Sequence, residues 1–162
     1  MLEINGVYNY LKIEIKDYIK KVIRKTKKLD EDDCWCRLHI YLKNEYLEID
    51  NPYYDLECCE VDNLYEMLKL YINNEMDDNT SFEPIEPSFK IYFYPFGKEY
   101  KNKNYEQEGL SIEDKTANIF VAFVEKDTTA PSDDGVILEL SEEEIKELFN
   151  YVKSIIENKY FY

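Results

Sequence analysis

The sequence predicts an α+β fold in which an antiparallel sheet of about five or six strands carries two amphipathic helices on one face. Three observations lead to this prediction. Several short segments alternate apolar and polar residues with period 2, which is typical of strands. Two longer segments repeat apolar residues every three to four positions, which is typical of helices. The aliphatic sides of the strands supply the apolar surface that these helices need, and we interpret residues 1–162 as a single domain.

Six segments carry the strand pattern. The first alternates Leu11, Ile13 and Ile15 with charged residues. A helix is the alternative for this segment, but the alternation is strict and no N-cap residue precedes it. The fifth segment is apolar on both faces, which predicts a central position in the sheet. The predicted strands cover residues 8–19, 34–42, 45–49, 89–94, 117–125 and 136–140.

Two helices are predicted, and both have an apolar stripe that is expected to pack in the core. The first covers residues 62–75, with Asp62 as its N-cap. The second follows the last strand directly and extends to about Asn158. Ser141 and Glu144 have the spacing of a capping box at its start.

The connections are predicted from charge runs and chain breakers. Residues 20–33 hold a basic run followed by an acidic run, which indicates an exposed connection. A basic patch for nucleic acid is the alternative, but the neighbouring acids would weaken the attraction. Asn51-Pro52 is expected to end the third strand, and residues 128–135 are expected to turn the chain. Residues 96–115 lack periodicity and are predicted to form a mobile loop.

The strand at 34–42 has two different faces. One face is small or aliphatic and suits a core: Cys34, Cys36, Leu38, Ile40 and Leu42. The other face, and the matching face of the strand at 89–94, carries side chains with an apolar body and a polar tip. We predict that this second face contacts a partner, through Trp35, Arg37, His39, Tyr41, Tyr92 and Tyr94. The alternative is that a loop or a third layer covers the face and makes these residues core.

Charge indicates the kind of partner. The formal net charge is −15, and it divides into +5 over residues 1–28 and −20 over residues 29–162. Such a protein repels nucleic acid and anionic membranes and is steered towards a basic partner. The alternative is that acidity only maintains solubility. The 16 tyrosines favour an interface, because tyrosine is a preferred interface residue.

Catalytic, metal and membrane signals are weak. His39 is the single histidine, and it lies on the strand face opposite Cys34 and Cys36, so it cannot act as their base within that strand. No glycine-rich phosphate loop is present, and we predict no enzyme activity and no cofactor. The cysteines, which include the adjacent pair Cys58 and Cys59, are expected to be reduced structural thiols, with zinc binding as the alternative. No membrane-length apolar run and no signal peptide are visible, which predicts a cytoplasmic protein.

The order of motifs over residues 8–159 resembles that of the WapI-type immunity proteins of bacterial polymorphic-toxin systems. The motifs are Leu11-x-Ile13-x-Ile15-x-x-Tyr18, the Trp35 strand, the helix stripe Leu64–Ile72, Phe82-Glu83-Pro84-Ile85-Glu86-Pro87-Ser88-Phe89 and Leu138-Glu139-Leu140-Ser141-Glu142-Glu143-Glu144. The resemblance implies a cytoplasmic protein that binds a cognate toxin domain, in some cases a tRNA-cleaving nuclease, and neutralises it by stoichiometric occlusion. Two other functions stay open: an acidic nucleic-acid mimic that inhibits a DNA-binding enzyme, and a small zinc or thiol protein.

Overall fold

The computed structural model describes residues 1–5, 9–30, 34–85, 88–97, 115–124 and 131–157. Over these residues it has eight strands and three helices, and the α+β class is confirmed. The strands are β1 Leu2–Asn5, β2 Asn9–Lys16, β3 Trp35–Asn44, β4 Glu48–Glu57, β5 Thr80–Phe82, β6 Phe89–Tyr94, β7 Thr116–Val124 and β8 Pro131–Leu140. The helices are α1 Lys21–Lys27, α2 Cys58–Ile72 and α3 Glu142–Glu157.

The strands form two antiparallel sheets in the described part of the chain. Sheet A has the order β1-β2-β3-β4 and sheet B the order β5-β6-β7-β8. The sequence predicts one sheet of five or six strands, so the division into two sheets is new. Its cause is local: each strand pairs with the next one along the chain, and α2 follows β4 without an intervening residue, which carries the chain away from sheet A. The predicted central position of the strand at 117–125 is confirmed, since β7 lies between β6 and β8.

One apolar core joins the inner faces of both sheets to α2 and α3. Tyr71 of α2 packs against Phe93 of sheet B, with ring centroids 5.2 Å apart. On the other side, the Ile15 amide of sheet A donates a hydrogen bond to the Tyr151 hydroxyl of α3, at 2.7 Å. Burial raises the pKa of Tyr151 to about 12. The apolar stripes of both predicted helices pack into this core, as expected.

The expected end of a strand at Asn51-Pro52 is wrong, because β4 continues to Glu57. Ile40 lies opposite Asn51 but Leu38 lies opposite Tyr54, so β4 has one extra residue at this point. Pro52 falls in the resulting bulge of β4, at the end of the strand order of sheet A, which is where a strand tolerates proline.

Residues 20–33 are not only a connection, because they include the short helix α1. Arg24 on this helix is only 2% exposed, whereas its neighbours in the basic run are exposed or half-buried. Its guanidinium contacts the Asp62 carboxylate and donates to the carbonyl oxygen of Ile19. The sequence did not predict this helix, because Asp62, the carboxylate that anchors it, lies 38 positions from Arg24.

The first predicted helix begins earlier than expected. It starts at Cys58, with Glu57 as N-cap, and Glu57 and Glu60 form a reciprocal capping box. Asp62 therefore lies inside the helix and is not its N-cap. The capping box of α3, between Ser141 and Glu144, is confirmed by three hydrogen bonds of 2.7 to 3.2 Å.

Two loop predictions meet the structure only in part. Residues 98–114 of the predicted mobile loop, and residues 128–130 of the predicted turn, lie outside the described residues. Residues 131–135 belong to β8, so the predicted turn is wrong there. Gly135 is the last residue of the predicted turn, but in the structure it pairs with Ala122 between β8 and β7. A Cβ at Gly135 would lie 2.3 Å from the Val121 carbonyl oxygen, so glycine is needed for close approach.

Candidate protein-binding surface

The two faces that the sequence predicts for β3 differ sharply in burial. The inner residues of β3 are at most 1% exposed, whereas Trp35 on the other side is 38% exposed. We define the β3 outer face as Trp35, Arg37, His39 and Tyr41; the last two are half-buried and Arg37 is exposed. Tyr92 and Tyr94 are also half-buried. None of the six predicted contact residues is therefore core, and the described residues include no layer that buries them.

The six residues lie on two sheets. The four residues of the β3 outer face share one side of one strand, because residues i, i+2, i+4 and i+6 of a strand point the same way. Tyr92 and Tyr94 lie on β6 of sheet B. The sequence predicts all six on one sheet, and the separate meanders of sheets A and B explain the difference. The β3 outer face is thus the compact part of the predicted site.

Carboxylates from flanking segments fix the polar tips of this face. The Arg37 Nε donates to Asp17 Oδ2 at 2.5 Å, and His39 Nε2 lies 2.7 Å from Asp50 Oδ1. The Tyr41 hydroxyl donates to Glu48 Oε1 at 2.8 Å. Asp50 and Glu48 belong to β4, which pairs with β3, whereas Asp17 follows β2. The face therefore presents aromatic and cationic groups in set orientations.

Glu48 is shared between two donors. It accepts from Tyr41 and, at 3.2 Å, from Lys43 Nζ. The hydrogen bond from Tyr41 lowers the pKa of the Glu48 carboxyl, and the hydrogen bond and the charge of Lys43 lower it further. The same contacts raise the pKa of the Tyr41 hydroxyl and of the Lys43 ammonium group. The three groups hold one another in their neutral-pH charge states, which keeps Tyr41 a hydrogen-bond donor.

Sequence reasoning missed Tyr10 as a part of this surface. Its ring meets Tyr41 edge to face, with centroids 5.8 Å apart and planes at 66°. Tyr10 precedes Lys12 by two positions in β2, and Lys12 lies directly opposite Tyr41. The signal was available, because Tyr10 has the same parity as the polar residues of the first predicted strand.

A second surface feature is a groove between the two sheets. It has a volume of about 680 Å³ and lies between β1 and β2 on one side and β8 and the start of α3 on the other. In the described part of the chain, β1 pairs only with β2 and β8 only with β7, so both are edge strands. The described residues that line the groove include no lysine or arginine. Its acidic residues are Glu3, Glu139, Glu143, Glu144 and Glu147.

The cysteines form a cluster across elements that their spacing did not predict. Cys36 Sγ of β3 and Cys58 Sγ at the start of α2 are 3.3 Å apart, and both residues are fully buried. Cys34 is buried and Cys59 is half-buried, with its thiol donating to Glu57. None of these four cysteines is in a disulfide bond. Among the described residues, no three His, Cys, Asp or Glu side chains converge as a metal site.

None of the described helices is long and apolar enough to cross a membrane. The comparisons with family models, curated proteins and solved structures found no match to this chain.

Proposed function

We propose that this protein is an immunity protein that binds a basic toxin domain in the cytoplasm and blocks its active surface by occlusion. The observation that carries the proposal is the β3 outer face, where Trp35 remains 38% exposed beside oriented polar groups. The motif order that resembles WapI-type immunity proteins supports the same function.

The physical case rests on a rigid aromatic surface. Tryptophan, tyrosine and arginine dominate the binding energy of most protein interfaces, and the β3 outer face supplies one of each. The hydrogen bond from Tyr41 to Glu48 orients the tyrosine before binding, and Arg37 is exposed and can leave Asp17 for a partner. The side-chain entropy that Tyr41 loses in a complex is then smaller. Such a surface suits a tight, stoichiometric inhibitor.

Charge explains why the partner should be basic. The net charge of −15 attracts a cationic domain over distances comparable to the Debye length, about 8 Å at physiological ionic strength. The acidic groove adds a local concentration of carboxylates. A nuclease toxin, which must bind a polyanion, presents the opposite charge. We expect the acids to set the association rate and the aromatic residues to set the dissociation rate.

The first experiment asks whether a neighbouring gene encodes a toxin domain and coexpresses that domain with this protein. We expect the two proteins to copurify at one to one and the cells to survive expression of the toxin. If the two proteins do not copurify and the cells are not rescued, the immunity function fails for that pair.

The second experiment locates the surface with matched aromatic variants. Trp35→Ala should weaken binding at least about thirtyfold, since a central tryptophan contributes about 2 kcal/mol or more. Tyr46→Ala is the control, because Tyr46 lies in the hairpin between β3 and β4 and is 86% exposed. It should bind as the wild type does. Titration calorimetry gives both affinities, and circular dichroism checks that each variant is folded.

A charge variant separates this surface from the groove. Glu143→Lys with Glu147→Lys reverses two acids of the groove and leaves the β3 outer face unchanged. We expect a slower association rate and a nearly unchanged dissociation rate. If this variant abolishes binding while Trp35→Ala does not, the partner occupies the groove and our assignment of the surface is wrong.

A further inference from the structure

The surroundings of Cys58 are those of a nucleophilic thiol. Cys58 is the first residue of the fifteen-residue helix α2, so its sulfur lies at the positive end of the helix dipole. The Ile19 amide donates to this sulfur at 3.3 Å, and the guanidinium charge of Arg24 acts on it from α1. Cationic and N–H groups of this kind favour a thiolate over a thiol.

A second sulfur lies within reach. Cys36 Sγ is 3.3 Å from Cys58 Sγ, whereas a disulfide needs about 2.05 Å. The backbone is already drawn together, because the Cys58 amide donates to the carbonyl oxygen of Cys34 at 2.7 Å. The two sulfurs must still approach each other before a bond can form. The two residues belong to different elements, so the bond would join β3 to the start of α2.

Ile19, just before α1, lies against the buried pair. Both sulfurs are fully buried, and the Ile19 amide donates to Cys58 Sγ. Within α1 only Arg24 is buried, and its contacts to Asp62 and to the Ile19 carbonyl anchor the helix and hold Ile19 in place. A segment with few buried side chains opens more readily than the core once its anchor is released. An opening of α1 that also released Ile19 would give a reagent access to Cys58 with the sheets still folded.

We propose that Cys36 and Cys58 are a peroxide-reactive pair that forms an intramolecular disulfide. The Cys58 thiolate attacks one oxygen of hydrogen peroxide, the O–O bond breaks, and a sulfenic acid and hydroxide form. Cys36 then attacks the sulfenic sulfur, the S–O bond breaks, and the proton of Cys36 leaves with the hydroxyl group as water. The hydroxide takes up the proton that Cys58 lost on ionisation, so two thiols are oxidised by two electrons and one peroxide is reduced to two waters. This inference does not depend on the proposed partner.

The test uses the full chain, fully reduced and then treated with hydrogen peroxide in slight excess. We expect the intact mass to fall by two hydrogen atoms, and peptide mapping to place the bond between Cys36 and Cys58. Cys59→Ser is the matched control, because it changes the neighbouring thiol and should leave the product unchanged. Cys36→Ala should instead accumulate sulfenic acid on Cys58, which dimedone traps. A bond mapped to Cys59, or no oxidation in the wild type, overturns the proposal.

Two further readouts test the nucleophile and its access. Hydrogen bonding from Cys36 and Ile19, together with the charge of Arg24, lowers the pKa of Cys58 below the usual value of a thiol, against the opposing effects of burial and of the Asp62 charge. The rate of disulfide formation should therefore rise with pH at a lower pH than it does for an ordinary cysteine. Asp62→Asn removes the charged partner of Arg24 and should accelerate the reaction about tenfold or more. The two rates are compared at alkaline pH, where Cys58 is a thiolate in both proteins, because the Asp62 charge also opposes the ionisation of Cys58. A rate that does not change in Asp62→Asn shows that α1 is not the route and overturns that part of the proposal.

Discussion

Arg24 and Arg37 each contact an aspartate, but they lie in opposite environments. Arg24 is 2% exposed, and Asp62 holds it between α1 and α2. The Arg37 side chain is 52% exposed and its partner Asp17 is 55% exposed. The same pair of residue types is thus an anchor in one place and an accessible surface group in the other.

Burial explains the difference in role. An exposed pair gains little free energy, because water screens the charges and the side chains lose freedom. Arg24 has lost its hydration and Asp62, whose side chain is 21% exposed, has lost most of it, so each charge depends strongly on its partner. Arg24 also contacts the Ile19 carbonyl, and Asp62 also accepts a hydrogen bond from the Tyr18 hydroxyl at 2.5 Å. Removing one member leaves several groups without a partner, whereas Arg37 can exchange Asp17 for water or for a carboxylate of a binding partner.

The largest effect is expected for Arg24→Ala. It leaves Asp62 with one cation fewer and removes the only buried side chain of α1. We expect the free energy of unfolding to fall by about 3–5 kcal/mol. Urea denaturation measures it, and Lys25→Ala on the same helix, which is exposed, should change it by less than about 0.5 kcal/mol. Equal effects of the two substitutions would contradict the anchoring role of Arg24.

A smaller effect, with a definite pH dependence, is expected for Tyr18→Phe. Burial, and then the hydrogen bond and charge of Asp62, raise the pKa of Tyr18 above its usual value. The folded state therefore keeps the phenol protonated at a pH where the unfolded chain, with a pKa of about 10, loses the proton. The stabilisation is present below pH 10 and is lost as pH rises above it. At neutral pH the substitution should cost about 1.5–3 kcal/mol.

Urea denaturation between pH 9 and pH 11 measures this dependence. The wild-type free energy of unfolding should fall more steeply with pH than that of Tyr18→Phe. Tyr46→Phe is the control, since Tyr46 is exposed. Parallel pH profiles for the wild type and Tyr18→Phe would show that Tyr18 has no raised pKa.

The smallest effect on stability is expected for Arg37→Ala. The pair with Asp17 is exposed on both sides, so we expect a change of less than about 1 kcal/mol. The affinity for the proposed partner should fall more than the stability does, because an interface desolvates the guanidinium group. Calorimetric titration beside urea denaturation compares the two. A large loss of stability from Arg37→Ala would remove the distinction between the two arginines.

The sequence predicted what depends on neighbours along the chain. The alternation in β2, β3 and β6 and the capping box of Ser141 and Glu144 are local patterns, and all were found where they were expected. The split between two sheets, the bulge at Pro52 and the burial of Arg24 depend on contacts between distant segments. No local pattern carries that information.

The candidate site divides in the same way. The four residues of the β3 outer face follow from the parity of one strand, so their common side could be predicted. Their carboxylate partners Asp17 and Asp50, and the placement of Tyr92 on another sheet, required the register and the topology. The approach of Cys36 to Cys58 required both, because the two sulfurs come from different elements.

The hydrogen bond between the Ile15 amide and the Tyr151 hydroxyl spans 136 positions of the chain. During synthesis, all four strands of sheet A leave the ribosome before α3 exists. Roughly 100 residues separate the end of β4 from the end of α3, which takes about 5–20 s at about 5–20 residues per second. For that interval the apolar side of β1 and β2 lacks the helix that completes its cover. Exposed apolar surface of this kind promotes aggregation and chaperone binding, so we expect the yield in cells to depend on how promptly α3 follows.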